Sequence, residues 1–361
     1  MNNGISVDKI ESFREFVNEN QDFILNQYQN INGKNHWNLL CSCMDWLTVS
    51  ATYLQNPPRL DSNSNIQAMQ MFTLISSIDL IYESINQLHR IFFTDKKLPF
   101  KGEKVFFSKR IFDQDDNNYF KSIRASFGAH PVNLKDSNIQ RFASWPSTSF
   151  MSKEGLTVQL YSSTDEEDDL LMNLYWDELI SFAIQRYEYL DTITNQIVTL
   201  YERYKNELRN IAIEKKITPL EQLYVLQSES SKRENNDYYK CTINELIIIF
   251  RTELSDPHLG ALEKEYKKSL LPLINEIMNN LQRMEIVDLE NDFLIRQQSN
   301  LSKTLRYELG KFHTWFYGNR YDPLIEYYLR RFNEETNFNF NFNTEDSENT
   351  LFLKVKLMLL D

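Results

Sequence analysis

A mainly α-helical protein is what this sequence predicts, and three observations carry the expectation. Only 8 glycines and 9 prolines punctuate 361 residues, well below the average usage of about 7% and 5%, so there are few breaks in long helices. Apolar residues recur at three- and four-residue spacing over most of the chain, the mark of one buried helical face. Strand-like alternation is confined to short stretches, chiefly Thr157-Val158-Gln159-Leu160-Tyr161.

From Val7 to about Gln29, Ile10, Phe13, Phe16, Val17, Ile24 and Tyr28 fall on one helical face, and Asn32-Gly33-Lys34-Asn35 breaks the pattern. A second helix fits His36 to Leu54 and stops before Pro57-Pro58, which cannot continue it. The clearest helix spans Ile66 to Phe93, where Met71, Ile75, Ile78, Tyr82, Ile85 and Phe92 belong to a stripe wide enough for a bundle core. After a loop near Pro99 to Lys104, the acidic stretch Asp113 to Asn118 suits a helix N-cap. The short helix that follows carries Tyr119, Phe120, Ile123 and Phe127 and should end near Gly128, because Pro131 disfavours helical backbone at His130.

Between Ser137 and Asp169 a small hairpin or pair of strands is expected. The acidic run Thr164 to Asp169 reads as the N-terminal cap of a following helix, favoured there by the macrodipole, and not as a metal site. A long aromatic-rich helix is expected from Leu170 to about Lys216. Others should follow over Pro219 to Gln227, Thr242 to Leu254, Leu259 to Met284, Asp288 to Phe316 and Asp322 to Glu334. The polar stretch Ser228 to Asn236 is the best candidate for a mobile loop. Alternation in Asn337 to Asn343 and in Phe352 to Met358 reads as a short terminal hairpin. The expected organisation is an N-terminal helical bundle over 1–136, a short β-hairpin insertion over 137–169 and a C-terminal domain of long helices over 170–361.

Composition narrows the function. With 42% hydrophobic residues the chain can bury a core. Its three cysteines form no CxxC pair, so neither a disulfide framework nor a zinc site is expected. The first residues lack a basic segment followed by an apolar run, and the richest apolar stretch, Asn244 to Phe250, is far too short to span a bilayer. A cytoplasmic protein with no membrane partner follows as the expectation. A net charge of -12 argues against a surface built for general nucleic-acid binding but leaves room for a local site. No GxGxxG, GxxxxGK[ST], GxSxG or HExxH occurs, so neither a cofactor nor a catalytic metal is expected.

What remains is Arg124-Ala-Ser-Phe-Gly-Ala-His130, within FKSIRASFGAHPVNL. It resembles the Arg-x4-6-His signature of the HEPN superfamily, helical bundles of toxins and abortive-infection proteins, over roughly residues 1 to 150. The resemblance implies a homodimer in which paired motifs cleave RNA without metal, Arg124 holding the scissile phosphate and His130 acting as general acid or base. The residue types suit that work. Arginine offers a permanently charged fork to phosphate oxygens, and histidine exchanges protons near neutral pH. Lys121 and Ser126 are the neighbouring candidates for contact with RNA. The motif departs from the family at Ala125, where a polar residue commonly follows the arginine. On an ideal helix His130 would lie about 240° around from Arg124, so a break at Gly128 is needed to bring them together. A basic groove could come from Lys96, Lys97, Lys101, Lys104, Lys109, Arg110 and Lys121.

Two further pairs fit the spacing. Arg251 and His258 are separated by Asp256-Pro257, which looks like a turn, and Arg306 and His313 sit on one helical face as a possible second half-site or an ordinary amphipathic helix. The functional expectation is thus an endoribonuclease of a toxin or anti-phage defence system, with the C-terminal helices regulating it or sensing a regulatory protein partner. The alternative is a noncatalytic adaptor or immunity-type protein whose aromatics Tyr175, Trp176, Phe182, Tyr187, Tyr189, Tyr201 and Tyr204 form a protein-binding face.

Overall fold

Helices dominate the computed structural model, which describes residues 4–360 except 96, 130, 133, 137–138, 145–150, 153, 234–235, 297–302 and 319–320. The chain divides into two units, Met1–Tyr201 and Glu202–Asp361. The division falls inside one helix, α6 (Trp176–Asn210). Phe182, in the first part of α6, stacks on Phe120 and lies against Tyr82, so that part of the helix shares the core of the first unit.

The first unit opens with α1 (Val7–Glu19) and α2 (Gln21–Tyr28), split at Asn20, whose side-chain amide donates to the Phe16 carbonyl at 2.8 Å. Next come α3 (His36–Gln55), α4 (Ser64–Phe92) and α5 (Asp116–Arg124), close to the expected spans. Each starts where an Asn or Asp side chain accepts a first-turn N–H: Asn35, Asn63 and Asp115. Leu40, Met44 and Leu47 of α3 and Ile75, Ile78 and Ile85 of α4 are buried in its core.

The β insertion is a four-stranded antiparallel sheet in sequence order: β1 (Leu134–Asp136), β2 (Ile139–Ala143), β3 (Gly155–Ser162) and β4 (Leu170–Tyr175). Val158 pairs with Met172 and Phe142 with Tyr161. Gly155 is required at the start of β3, since a Cβ there would lie 1.9 Å from the Leu174 carbonyl oxygen. The expected helix at Leu170 is corrected by β4. Met172 and Leu174 are buried while Leu171 is exposed, a period of two hidden in a run without Gly or Pro. The acidic run therefore caps no helix. Asp169 instead closes the β3–β4 turn, accepting from the Ser162 N–H at 2.9 Å and the Gln159 side chain at 3.0 Å.

The second unit holds the end of α6, then α7 (Pro219–Arg233), α8 (Asp237–Arg251), α9 (Pro257–Ser269), α10 (Leu271–Arg283), α11 (Lys303–Tyr317), α12 (Ile325–Glu335) and α13 (Glu348–Met358). The Ser228–Asn236 loop expected from polarity is, through Arg233, the last turns of α7; residues 234–235 lie outside the described residues. The buried Arg233 guanidinium donates to Glu229 and to the carbonyls of Leu208 and Ile211, so polar composition here fills a buried network.

The terminal hairpin is also corrected. Phe352 to Met358 lie in α13, whose residues Leu351–Met358 are all buried. A helix apolar on every side shows no stripe, and Lys354 and Lys356 gave the sequence a false alternation. Their ammonium groups are satisfied, Lys354 by Asp346 at 2.7 Å and Lys356 by Glu245 at 3.0 Å. In the preceding loop Asn337, Phe338 and Asn341 take left-handed backbone angles, while the Asn333 amide bonds both the N–H and the carbonyl of the buried Phe342.

Candidate functional site

The motif lies in the first unit, at the end of α5 beside α4. Its placement begins with the N-terminus of α5. Asp116 is fully buried, accepts from the N–H groups of Val105 and Phe106 and pairs with Arg110, which ties the 105–110 loop to the helix. Asn117 accepts from the buried Arg186 at 2.8 Å. That guanidinium lies 3.7 Å from the Phe182 ring centroid, and burial lowers its pKa to about 10. With Tyr119, Phe120 and Ile123 in the core, Lys121 and Arg124 are left on the outer side of α5.

After Arg124 the chain leaves α geometry through a π-helical turn over Ala125–Ala129 and does not stop at Gly128. Such a turn adds a residue to the helical circuit and is frequent at functional sites. Ser126, expected as an RNA contact, is buried, and its hydroxyl donates to the Ser122 carbonyl at 2.8 Å, which places it in support of the turn. His130 and Lys96 lie outside the described residues.

The feature absent from the sequence reading is Asp79 on α4. Its Oδ2 lies 2.8 Å from Arg124 Nε, with 45% of the arginine side chain and 11% of the aspartate side chain exposed. Burial pushes the Asp79 carboxyl up to about 6; Arg124 and Lys121 oppose the rise and Glu83 adds to it. Its second oxygen, Oδ1, is buried with no hydrogen-bond partner, and so is the Tyr82 hydroxyl one turn further along α4. Lys121 Nζ sits 5.8 Å from the Tyr82 ring centroid. A signal for Asp79 did exist: it is the first charged residue of α4, set in the middle of an apolar stripe.

Chemically, this corner offers a guanidinium held at one edge by a buried carboxylate and otherwise open, an adjacent ammonium, and two buried oxygen groups without partners. A fork of that kind takes an anion with two oxygens. The wider basic groove is not assembled as free charge: Lys104 pairs with Asp113, Arg110 with Asp116, and Lys109 donates to the Tyr175 hydroxyl. Lys97 and Lys101 remain exposed.

The other Arg–His pairs read differently. Arg306 is exposed on α11, while the His313 ring stacks on Tyr317 with centroids 5.9 Å apart, and burial lowers its pKa to about 4. Arg251 ends α8 and His258 begins α9, both exposed. None of the seven aromatics expected to form a binding face is among the exposed residues, and Phe182 and Tyr187 are wholly buried. The exposed apolar surface lies elsewhere. On α3 Trp46 and Val49 face solvent and the only acid or base besides His36 is Asp45, which pairs with Arg14; on α4 Ile66, Met69 and Phe72 are exposed, with no charged residue before Asp79. Among the described residues no group of His, Cys, Asp and Glu is arranged to hold a metal ion, and no helix is long and apolar enough to cross a membrane.

No protein-family model, curated protein or solved structure matches the chain.

Proposed function

We propose that this chain is a metal-independent endoribonuclease of toxin or anti-phage defence type, in which Arg124 binds the scissile phosphate and His130 moves the proton. The observation that supports this reading is the Asp79–Arg124 pair: a buried carboxylate fixes the arginine at Nε while much of its side chain stays open, beside Lys121 and at the mouth of a π-turn leading to His130. An arginine so oriented needs little reorganisation to meet a phosphodiester. In the reaction the ribose 2′-hydroxyl gives its proton to a base, O2′ attacks phosphorus, and the P–O5′ bond breaks as O5′ gains a proton. Arg124 and Lys121 stabilise the charge that builds on the phosphoryl oxygens. The motif resemblance implies a homodimer with two copies of the site facing each other, and assigns the second unit to regulation by a protein partner.

The test incubates wild type and the Arg124→Ala/His130→Ala double variant with cellular RNA in the presence of EDTA. EDTA-resistant cleavage that the double variant loses while staying folded is the expected result; equal inertness of both, with and without infected-cell extract, overturns the reading. A second reading, a noncatalytic helical protein that acts by association, is favoured by the sparsely charged exposed faces of α3 and α4. Charged residues are depleted and Trp, Phe and Met enriched at protein interfaces.

A further inference from the structure

Asp79 is the unusual member of the corner. It is 8% exposed, its Oδ1 has no hydrogen-bond partner among the described residues, and the only described cation within ion-pairing distance is the half-open Arg124. A buried acid with an unsatisfied oxygen beside an anion-binding fork must respond when an anion arrives. We propose that the Arg124 corner binds a phosphodiester with uptake of one proton by Asp79, so that nucleic acid is held by a neutral aspartic acid and a charged arginine. The inference rests on the phosphate reading of Arg124 and adds a pH-linked affinity to it.

The physical case has two parts. Arg124 meets Asp79 through Nε, which among the described residues leaves the two outer guanidinium nitrogens for phosphate oxygens. A phosphate there sits roughly 7 Å from the carboxylate, and at an effective dielectric of about 20 two like charges at that distance change an equilibrium by on the order of fiftyfold. Alternatively Arg124 swings to the phosphate, which strips a buried carboxylate of its partner; an uncompensated charge in that position neutralises by taking a proton. Both routes end in the same protonation state.

The charges felt by Asp79 come from Arg124 and Lys121 on α5 and Glu83 on its own helix. The π-turn carries no titratable side chain, and the α3 carboxylate, Asp45, is engaged by Arg14. Burial already brings the Asp79 carboxyl to about 6 without ligand, and a bound anion raises it further. The sign follows: the complex holds one more proton than the free protein between the bound and free values, so affinity rises as pH falls through that window and levels off below about 6. A proton taken up at Asp79 also gives the site a carboxylic acid beside the phosphate.

The probe is a single-stranded 2′-deoxyribo-oligonucleotide, whose phosphodiesters do not titrate in this range and which lacks the attacking hydroxyl. Binding is measured by fluorescence anisotropy at fixed ionic strength, pH 6 and pH 8, in a His130→Ala background that removes the motif's own titration. The expected result is binding at least about tenfold tighter at pH 6. Asp79→Asn in that background should bind tightly at both pH values, because the isosteric amide keeps an oxygen beside Nε without the charge. Weaker binding by Asp79→Asn at both pH values would make Asp79 an anchor for Arg124 and overturn the proposal, as would an equal pH response with and without the carboxyl. If Arg124→Ala leaves binding unchanged, or if no binding occurs at either pH, the phosphate reading itself falls. Binding that depends on Arg124 but not on pH removes the proton linkage alone.

Discussion

Replacing Asp79 by Asn should make the protein more stable at neutral pH, even though it removes an ion pair. The carboxyl is raised from its ordinary 3.8 to about 6, with burial the largest cause and the attraction of Arg124 too weak to cancel it. At about 1.4 kcal/mol per pH unit, that rise corresponds to about 3 kcal/mol. The unfolded chain releases this proton near 3.8 and the folded chain near 6, so the cost grows as pH rises between those values and is complete above the second. Integration gives a stabilisation by Asp79→Asn of about 3 kcal/mol at pH 7.5 and about 1 kcal/mol at pH 4.5. Urea unfolding of wild type and variant at both pH values measures the two differences. A variant less stable than wild type at pH 7.5, or a difference that does not shrink on acidification, would show that the pair stabilises the fold and that burial does not dominate. A costly buried acid kept beside an exposed arginine is what a trade of stability for function looks like.

His313 gives the opposite pH dependence. Its folded value of about 4 lies below the ordinary 6.5, so the unfolded chain binds the proton first and stability is lost as pH falls from about 6.5 towards 4. Between pH 7.5 and 5 wild type should lose about 2 kcal/mol more than His313→Phe; parallel losses in the two proteins would place the imidazole in water. If the sparsely charged exposed faces of α3 and α4 join two copies, Trp46→Glu with Met69→Glu should yield a monomer by sedimentation while helical content stays constant. A wild type that is already monomeric at concentrations where it cleaves RNA would exclude that use of the surface.

The helical class and the spans of α3, α4 and α5 were legible because amphipathic periodicity survives where a helix buries one face. The runs read as single helices over residues 7–29 and 259–284 are each two helices, and in 288–316 the α-helix begins at Lys303. The sequence became opaque where burial removed that asymmetry. In α13 the core surrounds the helix, so two buried lysines imitated a strand, and at Leu170–Tyr175 a true strand hid inside an unbroken run of helix-compatible residues. Polarity misled at Ser228–Arg233 because Arg233 is a buried hub. In the candidate site, the outward placement of Lys121 and Arg124 was readable from the apolar spacing of α5, and the end of α geometry near there from Gly128 and Pro131. Asp79 was not found because its partner lies 45 residues further along the chain, and only tertiary packing of α4 on α5 reveals the pair.

A defined single-stranded RNA, incubated in EDTA and analysed for the chemistry of its new ends, tests Arg124 and the 2′-hydroxyl route together. Cleavage should leave a 2′,3′-cyclic phosphate, or the 3′-phosphate from its hydrolysis, opposite a 5′-hydroxyl, and Arg124→Ala should lower the single-turnover rate by on the order of a hundredfold or more. Fragments bearing 5′-phosphates, or a rate unchanged in Arg124→Ala, would contradict both the chemistry and the residue assigned to it.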